Sequence, residues 1–392
     1  MELADIVRAH GEAFCAHHRL SMVQHRALRA ISACRTPVLG GHLEQCDACG
    51  QRRYSYHSCR NRHCPKCQTR AKERWLEARR AELLPVPYFH LVFTLPHALN
   101  ALAQGNPRVL YGLLFDAASD TLLEFGANSR WLGGKIGATL LLHTWGQTLA
   151  QHLHVHALVT GGALGEDGQW YAPRRGFLFP VEALSAVFRG KYLGALAQAF
   201  ERGRLRFAGT TLGLADPAGR RALFDQLRAR PWVVYAKAPM GGPEQVLEYL
   251  GRYAHRVAIS NERLLSMSAE AVRFRYKDYA HGNRRRVLAL DAQEFIRRFL
   301  LHVLPRNFVR IRHYGLLGNR AKQHSLAQCR AALVQPLTPP NPQLQESLAA
   351  FWLRVAAVDI ERCAHCGQGR MRVVERLRAH HRPSRGPPQT DA

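Results

Sequence analysis

His154, Val155 and His156 stand together in "HLHVHALVTGG", and Tyr249 and Tyr253 stand at i, i+4 in "EYLGRYAHR". In a strand, alternate side chains share a face. His154 and His156 then point one way while Leu153, Val155 and Ala157 enter a core. Two imidazoles side by side on a rigid strand can chelate a divalent ion. Phenols at i, i+4 share one face of a helix. Cleaving a phosphodiester needs a nucleophile, charge neutralisation at the phosphoryl oxygens and an aligned bond. A phenol with a pKa of about 10 is a weak nucleophile near neutrality. A divalent ion that polarises and orients the phosphate offsets that weakness. The two motifs together predict cutting of single-stranded DNA through a phosphotyrosine.

Two histidines leave room for a third ligand. His143, in "LLLHTWGQ" on the preceding strand, is the first candidate, because paired strands would bring it to the same face. His152 shares the face of His154 and His156 and competes for the role; Gln147 is a weaker competitor. Lys237, on the strand ahead of the tyrosines, is placed to neutralise the scissile phosphate. Arg252, His255 and Arg256 surround the tyrosines with cations, which favour the phenolate.

The chain has 10 cysteines. Cys46-x2-Cys49 and Cys64-x2-Cys67 predict two knuckles that close one tetrahedral zinc site. Such a zinc supplies folding energy where apolar residues are few. His42, His57, Cys59 and His63 are surplus ligands, and Cys59 with His63 could replace one knuckle or serve a second ion. Arg52, Arg53, Tyr54, Tyr56, Arg60, Arg62 and Lys66 are interleaved with them and suit phosphate contact and base stacking. Cys363-x2-Cys366, followed by His380 and His381, is a candidate for a further metal site. Cys15, Cys34 and Cys329 stand alone and are expected to be core or surface thiols.

The bulk numbers agree with this chemistry. The 392 residues are 47% hydrophobic and carry a net charge of +26, from 55 Lys+Arg against 29 Asp+Glu. Self-repulsion on that scale calls for a polyanionic partner. Nucleic acid comes first. An acidic membrane surface comes second, but no long basic amphipathic helix, lipidation motif or spanning apolar run supports it. Clustered Cys-x-x-Cys pairs and the lack of a secretory signal place the chain in a reducing bacterial cytoplasm, associated with the nucleoid.

The order of elements predicts an α+β fold: a nuclease core with a mainly antiparallel sheet and flanking helices, preceded by a small zinc-binding domain. Residues 1–40 read as helical, 41–70 as loops and turns around the cysteines, and 71–84 as a basic helix. Strands are expected at "YFHLVFTLP", "GATLLLHTW", "HLHVHALVT", "PWVVYAKAP" and "FVRIRHYG", and a hairpin around His281-Gly282-Asn283. Pro243 reads as opening the tyrosine helix, and Asp291 with Glu294 as a capping box. Three domains follow: a helical and zinc-binding DNA-binding domain over 1–85, the nuclease over 86–325, and a linker, short helix and basic tail with a Cys-x-x-Cys knuckle over 326–392.

Four long strings carry a resemblance to a known family. They are "CDACGQRRYSYHSCRNRHCPKCQ", "LLHTWGQTLAQHLHVHALVTGG", "VVYAKAPMGGPEQVLEYLGRYAHRVAISNERL" and "EFIRRFLLHVLPRNFVRIRHYGLLGN". They resemble, in order, the zinc-binding region, metal motif, tyrosine motif and following segment of the rolling-circle, two-tyrosine transposases of the insertion sequence 91 family. The resemblance covers most of the chain. It implies a nuclease core of the His-hydrophobic-His class, with Mg2+ or Mn2+ at His154 and His156. It also implies a 5′-phosphotyrosine intermediate on Tyr249 and Tyr253. This chain departs from many relatives in lacking a proline before His154. The expected function is nicking and rejoining of single-stranded DNA at element ends. A plasmid or phage replication initiator or relaxase would use the same chemistry. A non-catalytic zinc-dependent DNA-binding regulator would need the zinc domain alone.

Overall fold

The computed structural model describes the chain apart from residues 174–177, 241–244, 247, 250, 252–254, 256, 280, 335–345 and 380–392. It divides into two units: residues 1–68 with 340–392, and residues 69–339.

The first unit opens with α1 (Leu3–His17) and α2 (Met22–Ala33). Ile6, Phe14, Leu28 and Ile31 recur at helical spacing and are buried. Ser21 caps α2: its side chain accepts from the Gln24 amide, and the Gln24 side chain accepts from the Ser21 amide. The chain then forms an antiparallel hairpin of β1 (Gly41–Cys46) and β2 (Arg52–Tyr56).

The second unit runs through α3 (Thr69–Arg80), β3 (Tyr88–Thr94), α4 (Asn100–Gly105), α5 (Pro107–Ala127), β4 (Gly137–Trp145) and β5 (Gln151–Thr160). It continues with β6 (Ala163–Leu164), β7 (Trp170–Tyr171), α6 (Val181–Glu201), α7 (Pro217–Arg228), β8 (Val234–Met240), β9 (Leu264–Met267), β10 (Val272–Asp278) and β11 (Arg284–Leu290). It ends with α8 (Ala292–Leu300), β12 (Ile311–Gly315) and α9 (Lys322–Ala332). Back in the first unit, α10 (Leu348–Ala356) precedes β13 (Met371–Leu377).

The central sheet has the order β12-β4-β5-β3-β8, with every neighbouring pair antiparallel. Strict alternation assigns its faces. Phe89, Leu91 and Phe93 of β3, Leu140 and Leu142 of β4, and Leu153, Val155 and Ala157 of β5 join the core under α5 and α6. The residues between them face the other way. There Tyr88, Leu141 and Leu158 meet Trp75, Val246, Leu316 and Leu326, and His90, His143, His154 and His156 continue the same face. The hairpin of β10 and β11 turns through Gly282 and Asn283, both at positive φ, as expected from sequence. Asp291 caps α8 by accepting from the Gln293 and Glu294 amides. Glu294 itself pairs with Arg297 and Arg298 rather than completing a capping box.

Two expectations are corrected. Residues 41–70 are not only loops and turns, because β13 pairs antiparallel with the free edge of β1 to give a three-stranded sheet. The partner strand lies some three hundred residues away, and Leu43 is the lone aliphatic side chain of β1, so no local period announces these strands. The domain boundaries shift for the same reason: β13 belongs with the first unit, not a separate tail. α3 belongs with the second, where Trp75 and Leu76 pack on its sheet. Pro243 lies outside the described residues. Among the described residues, no helix is long and apolar enough to cross a membrane.

Candidate active site and metal centres

Three imidazoles meet on the polar end of the central sheet. His143 of β4 lies directly opposite His154 of β5 in the strand register, and antiparallel partners share a face. His156 is two residues further along β5. The ligand nitrogens of His143, His154 and His156 all lie within 4.8 Å of one another, and all three rings are buried. Trp145 stacks on His143 at 4.6 Å. Nδ1 of His154 is 2.9 Å from the His152 carbonyl oxygen, to which it donates. That bond selects the tautomer that leaves Nε2 for a ligand. Burial pushes the His154 pKa down to about 3, so the ring is neutral and its lone pair available near neutrality. Three buried imidazoles on paired strands fit a divalent ion.

Of the competitors for the third position, neither joins this group. His152 turns towards His97, with Nδ1 and Nε2 3.2 Å apart. Gln147 donates to the Tyr279 hydroxyl at 3.4 Å.

Tyr249 sits in a helical stretch and is half-buried. Its hydroxyl is 3.2 Å from Nδ1 of His156. Sequence reasoning missed the residue that frames this contact, His90. Its Nε2 is 3.0 Å from the same His156 nitrogen, and its ring lies 4.5 Å from that of Tyr249. Burial, helped by the charge of Lys237, pushes the His90 pKa down to about 4. The available signal was a lone histidine in a largely apolar strand, on the face opposite Phe89, Leu91 and Phe93. Lys237 is exposed on β8 and is the register partner of His90, so it joins the histidine face. Tyr253, Arg252 and Arg256 lie outside the described residues. Burial, with the nearby charges of Arg310 and Lys72, pushes the His255 pKa down to about 4.

The cysteines group differently from the expected single tetrahedron. Cys64 and Cys67 join Cys34 and Cys59, while Cys46 and Cys49 join Cys363 and Cys366. In the first group Cys67 Sγ is 3.5 Å from Cys34 Sγ and 3.6 Å from Cys59 Sγ. Cys34, expected to be an isolated thiol, is instead delivered by the C-cap of α2. Cys59 is a member, and His63, though buried nearby, is not. The reason is the hairpin: pairing of β1 with β2 separates the two knuckles, so each must find partners elsewhere. His380 and His381 lie outside the described residues.

Comparison with known proteins agrees with this architecture. Residues 6–95 match the family model "Transposase zinc-binding domain", and residues 137–325 match the family model "Putative transposase". The chain is 49% identical to the "Putative transposase y4qJ" of Sinorhizobium fredii (strain NBRC 101917 / NGR234), over 95% of each chain. It is 30% identical to the "Transposase for insertion sequence element IS801" of Pseudomonas savastanoi pv. phaseolicola, over 86% of this chain and 80% of that one. The chain belongs to the insertion sequence 91 transposase family. Among solved structures, the "Conjugative Relaxase TrwC in complex with mutant OriT Dna" is similar over 64% of this chain and 75% of that chain. The identity is 15% and the TM-score 0.25, a likeness too slight to bear on fold or function.

Of the expected DNA contacts, several lie on or after β2. Arg52, Tyr54 and Tyr56 alternate onto one side, with the two phenol rings stacked 6.0 Å apart. Arg60 is exposed; Arg62 is half-buried, and burial lowers its pKa. Two expected phosphate contacts are otherwise engaged. The Arg53 guanidinium donates to Glu44 Oε2 at 2.6 and 2.9 Å and to the Ile360 carbonyl. The Lys66 ammonium donates to both carboxylate oxygens of Glu2.

Proposed function

We propose that this transposase nicks and rejoins single-stranded DNA at element ends through a 5′-phosphotyrosine intermediate, with Tyr249 and Tyr253 as nucleophiles. The observation that carries the reading is the Tyr249 hydroxyl, 3.2 Å from a histidine of the three-imidazole cluster. His143, His154 and His156 would hold the catalytic ion. Mg2+ or Mn2+ bound there would neutralise the phosphoryl oxygens and orient the scissile phosphate.

The chain's own residues supply the rest. With the other nitrogen of His156 turned to the cluster, its Nδ1–H donates to the Tyr249 oxygen and favours the phenolate. His90, kept neutral by burial, accepts from the same N–H and holds the ring in place. The Tyr249 hydroxyl gives up its proton to solvent, its oxygen attacks phosphorus, the bond to the 3′-oxygen breaks, and the freed 3′-oxygen takes a proton from solvent. Lys237 adds positive charge beside the phosphate. A second tyrosine permits a second cleavage before the first covalent link is resolved by the 3′-hydroxyl. The Cys34, Cys59, Cys64 and Cys67 group serves as the structural zinc site of the matched zinc-binding domain.

Phenylalanine keeps the ring and its packing but removes the nucleophilic oxygen. Tyr249→Phe with Tyr253→Phe should leave a folded protein that forms no covalent adduct with single-stranded oligonucleotides from the element ends. Either single variant should keep one-step cleavage but fail in complete transposition. Peptide mapping of the trapped wild-type adduct should find the DNA on Tyr249 or Tyr253. An adduct elsewhere, or full nicking by the double variant, would sink the mechanism.

A further inference from the structure

The second cysteine group joins residues from opposite ends of the chain. Cys49 Sγ lies 3.8 Å from Cys363 Sγ across a sequence separation of 314, and Cys46 Sγ lies 3.7 Å from Cys366 Sγ across 320. A tetrahedron with zinc–sulfur bonds of about 2.3 Å has edges of about 3.8 Å. All four sulfurs lie within 4.8 Å of one another. They are thiols, too far apart to be disulfides.

The surrounding backbone is built twice over to one plan. Each Cys-x-x-Cys is followed by a glycine at positive φ, Gly50 at +73° and Gly367 at +69°. The Gly50 amide donates to the Cys46 carbonyl at 3.1 Å, and the Gly367 amide donates to the Cys363 carbonyl at 2.9 Å. The amides of Cys49 and Gly369 point at the sulfurs of Cys46 and Cys366, at 3.5 and 3.4 Å, where thiolates would accept from them. Gly369 also makes room: a Cβ there would fall 2.4 Å from Cys46 Sγ. The two knuckles brace each other, since the Asp47 amide donates to the Arg370 carbonyl and the Arg370 amide donates to Asp47 Oδ1.

The apolar content here is too small to hold the segment. The buried cluster is Cys46, Cys363 and Met371, with Cys366 against it. Val373 and Val374 of β13 are exposed. Small modules with so little core rely on a metal or a disulfide, and thiolate-rich tetrahedral sites select zinc over hard cations.

We propose that Cys46, Cys49, Cys363 and Cys366 bind a second structural zinc, so that a zinc ribbon is completed by the C-terminal segment and the 69–339 unit is inserted, in chain order, between its halves. Binding replaces the thiol protons, which leave to solvent, and closes a loop of more than three hundred residues. Neither matched family region reaches Cys363 or Cys366.

The test counts tetrathiolate sites in the full chain. Loaded with cobalt as a spectroscopic stand-in under reducing conditions, the protein should show thiolate-to-cobalt charge transfer for two sites, a signal that imidazole ligands do not give. Cys363→Ser with Cys366→Ser should halve it, and elemental analysis should show one zinc fewer per chain. An unchanged signal in that variant would overturn the proposal. Should the variant fail to fold, alkylation of the zinc-loaded wild type decides. Cys363 and Cys366 should be protected until a chelator is added. Their immediate labelling, or a metal-free disulfide to Cys46 or Cys49, would refute the site. None of these readouts depends on the tyrosine chemistry.

Discussion

In the five-stranded sheet, β3 turns Phe89, Leu91 and Phe93 into a core that α5 and α6 cover. In the three-stranded sheet, β1 contributes Leu43 and Cys46 to the interior, and the ribbon's buried cluster is sulfur plus one methionine. The pairing geometry is the same; the source of stability is not. Apolar burial holds the first, and thiolate ligation is proposed to hold the second. The difference also separates the two proposed uses of metal. The histidine cluster sits on strands held by apolar burial, as the proposed catalytic site would require. The Cys46, Cys49, Cys363 and Cys366 group sits where the proposed ion would replace a missing core.

The sharpest way to break this comparison is to remove metal. A strong chelator should abolish amide-exchange protection in β1, β2 and β13 while leaving β3, β4 and β5 protected. Equal loss in both sheets would mean that the central sheet depends on metal too. The converse is Phe93→Ala, which removes a fully buried ring. It should cost roughly 3–5 kcal/mol of stability in the 69–339 unit, measurable by denaturant unfolding. The cysteine sites should keep their zinc, and a loss of zinc in this variant would couple what the comparison separates.

How much of this was legible in the sequence follows the range of the signal. A period of two is local, so the shared face of His154 and His156 on β5 could be read from the string itself, with His143 reaching it only if its strand pairs with β5; β3 and β4 are apolar on both faces and show no such period. Knuckle spacing is local as well and marks Cys46 with Cys49 and Cys64 with Cys67. Which knuckles share an ion is not local. It depends on β13 pairing with β1 and on Cys34 arriving from the end of α2, neither of which spacing can express. His90 was hidden differently: one histidine in an apolar strand reads as a core residue until its partners His156 and Tyr249 are seen.

Acid should weaken the central unit in a predictable window. His302 is fully buried beside the Thr144 hydroxyl and the Leu149 carbonyl, and burial pushes its pKa down to about 4. Unfolded, its pKa is about 6.5. Between these values the unfolded chain binds a proton that the folded chain does not, so stability falls as pH falls. The contribution is intact above about pH 6.5 and lost on the approach to pH 4. By pH 5 the loss is on the order of 1–2 kcal/mol. His302→Gln should flatten the dependence of Tm on pH over that range. An unchanged slope would show that this ring does not set it.

The smallest effect concerns neighbours on β2. Arg53 and Glu44 are register partners across the β1–β2 hairpin, their ion pair is open to solvent on the arginine side, and the guanidinium already has a counter-charge. Exposed pairs contribute roughly 0.2–1 kcal/mol. Arg53→Ala should therefore lower ribbon stability by less than about 1 kcal/mol and leave the salt dependence of DNA affinity nearly unchanged. Arg52 points to the opposite side, with Tyr54 and Tyr56. If that face carries phosphates, Arg52→Ala should leave stability alone and reduce the slope of log affinity against log salt by about 0.7 to 0.9, the value of one lost contact. The two substitutions remove the same charge from adjacent residues, so net charge cannot explain a difference between them. Equal slopes for both variants would mean that β2 contributes only bulk charge. A larger drop for Arg53→Ala would place the DNA on the Glu44 side of the hairpin.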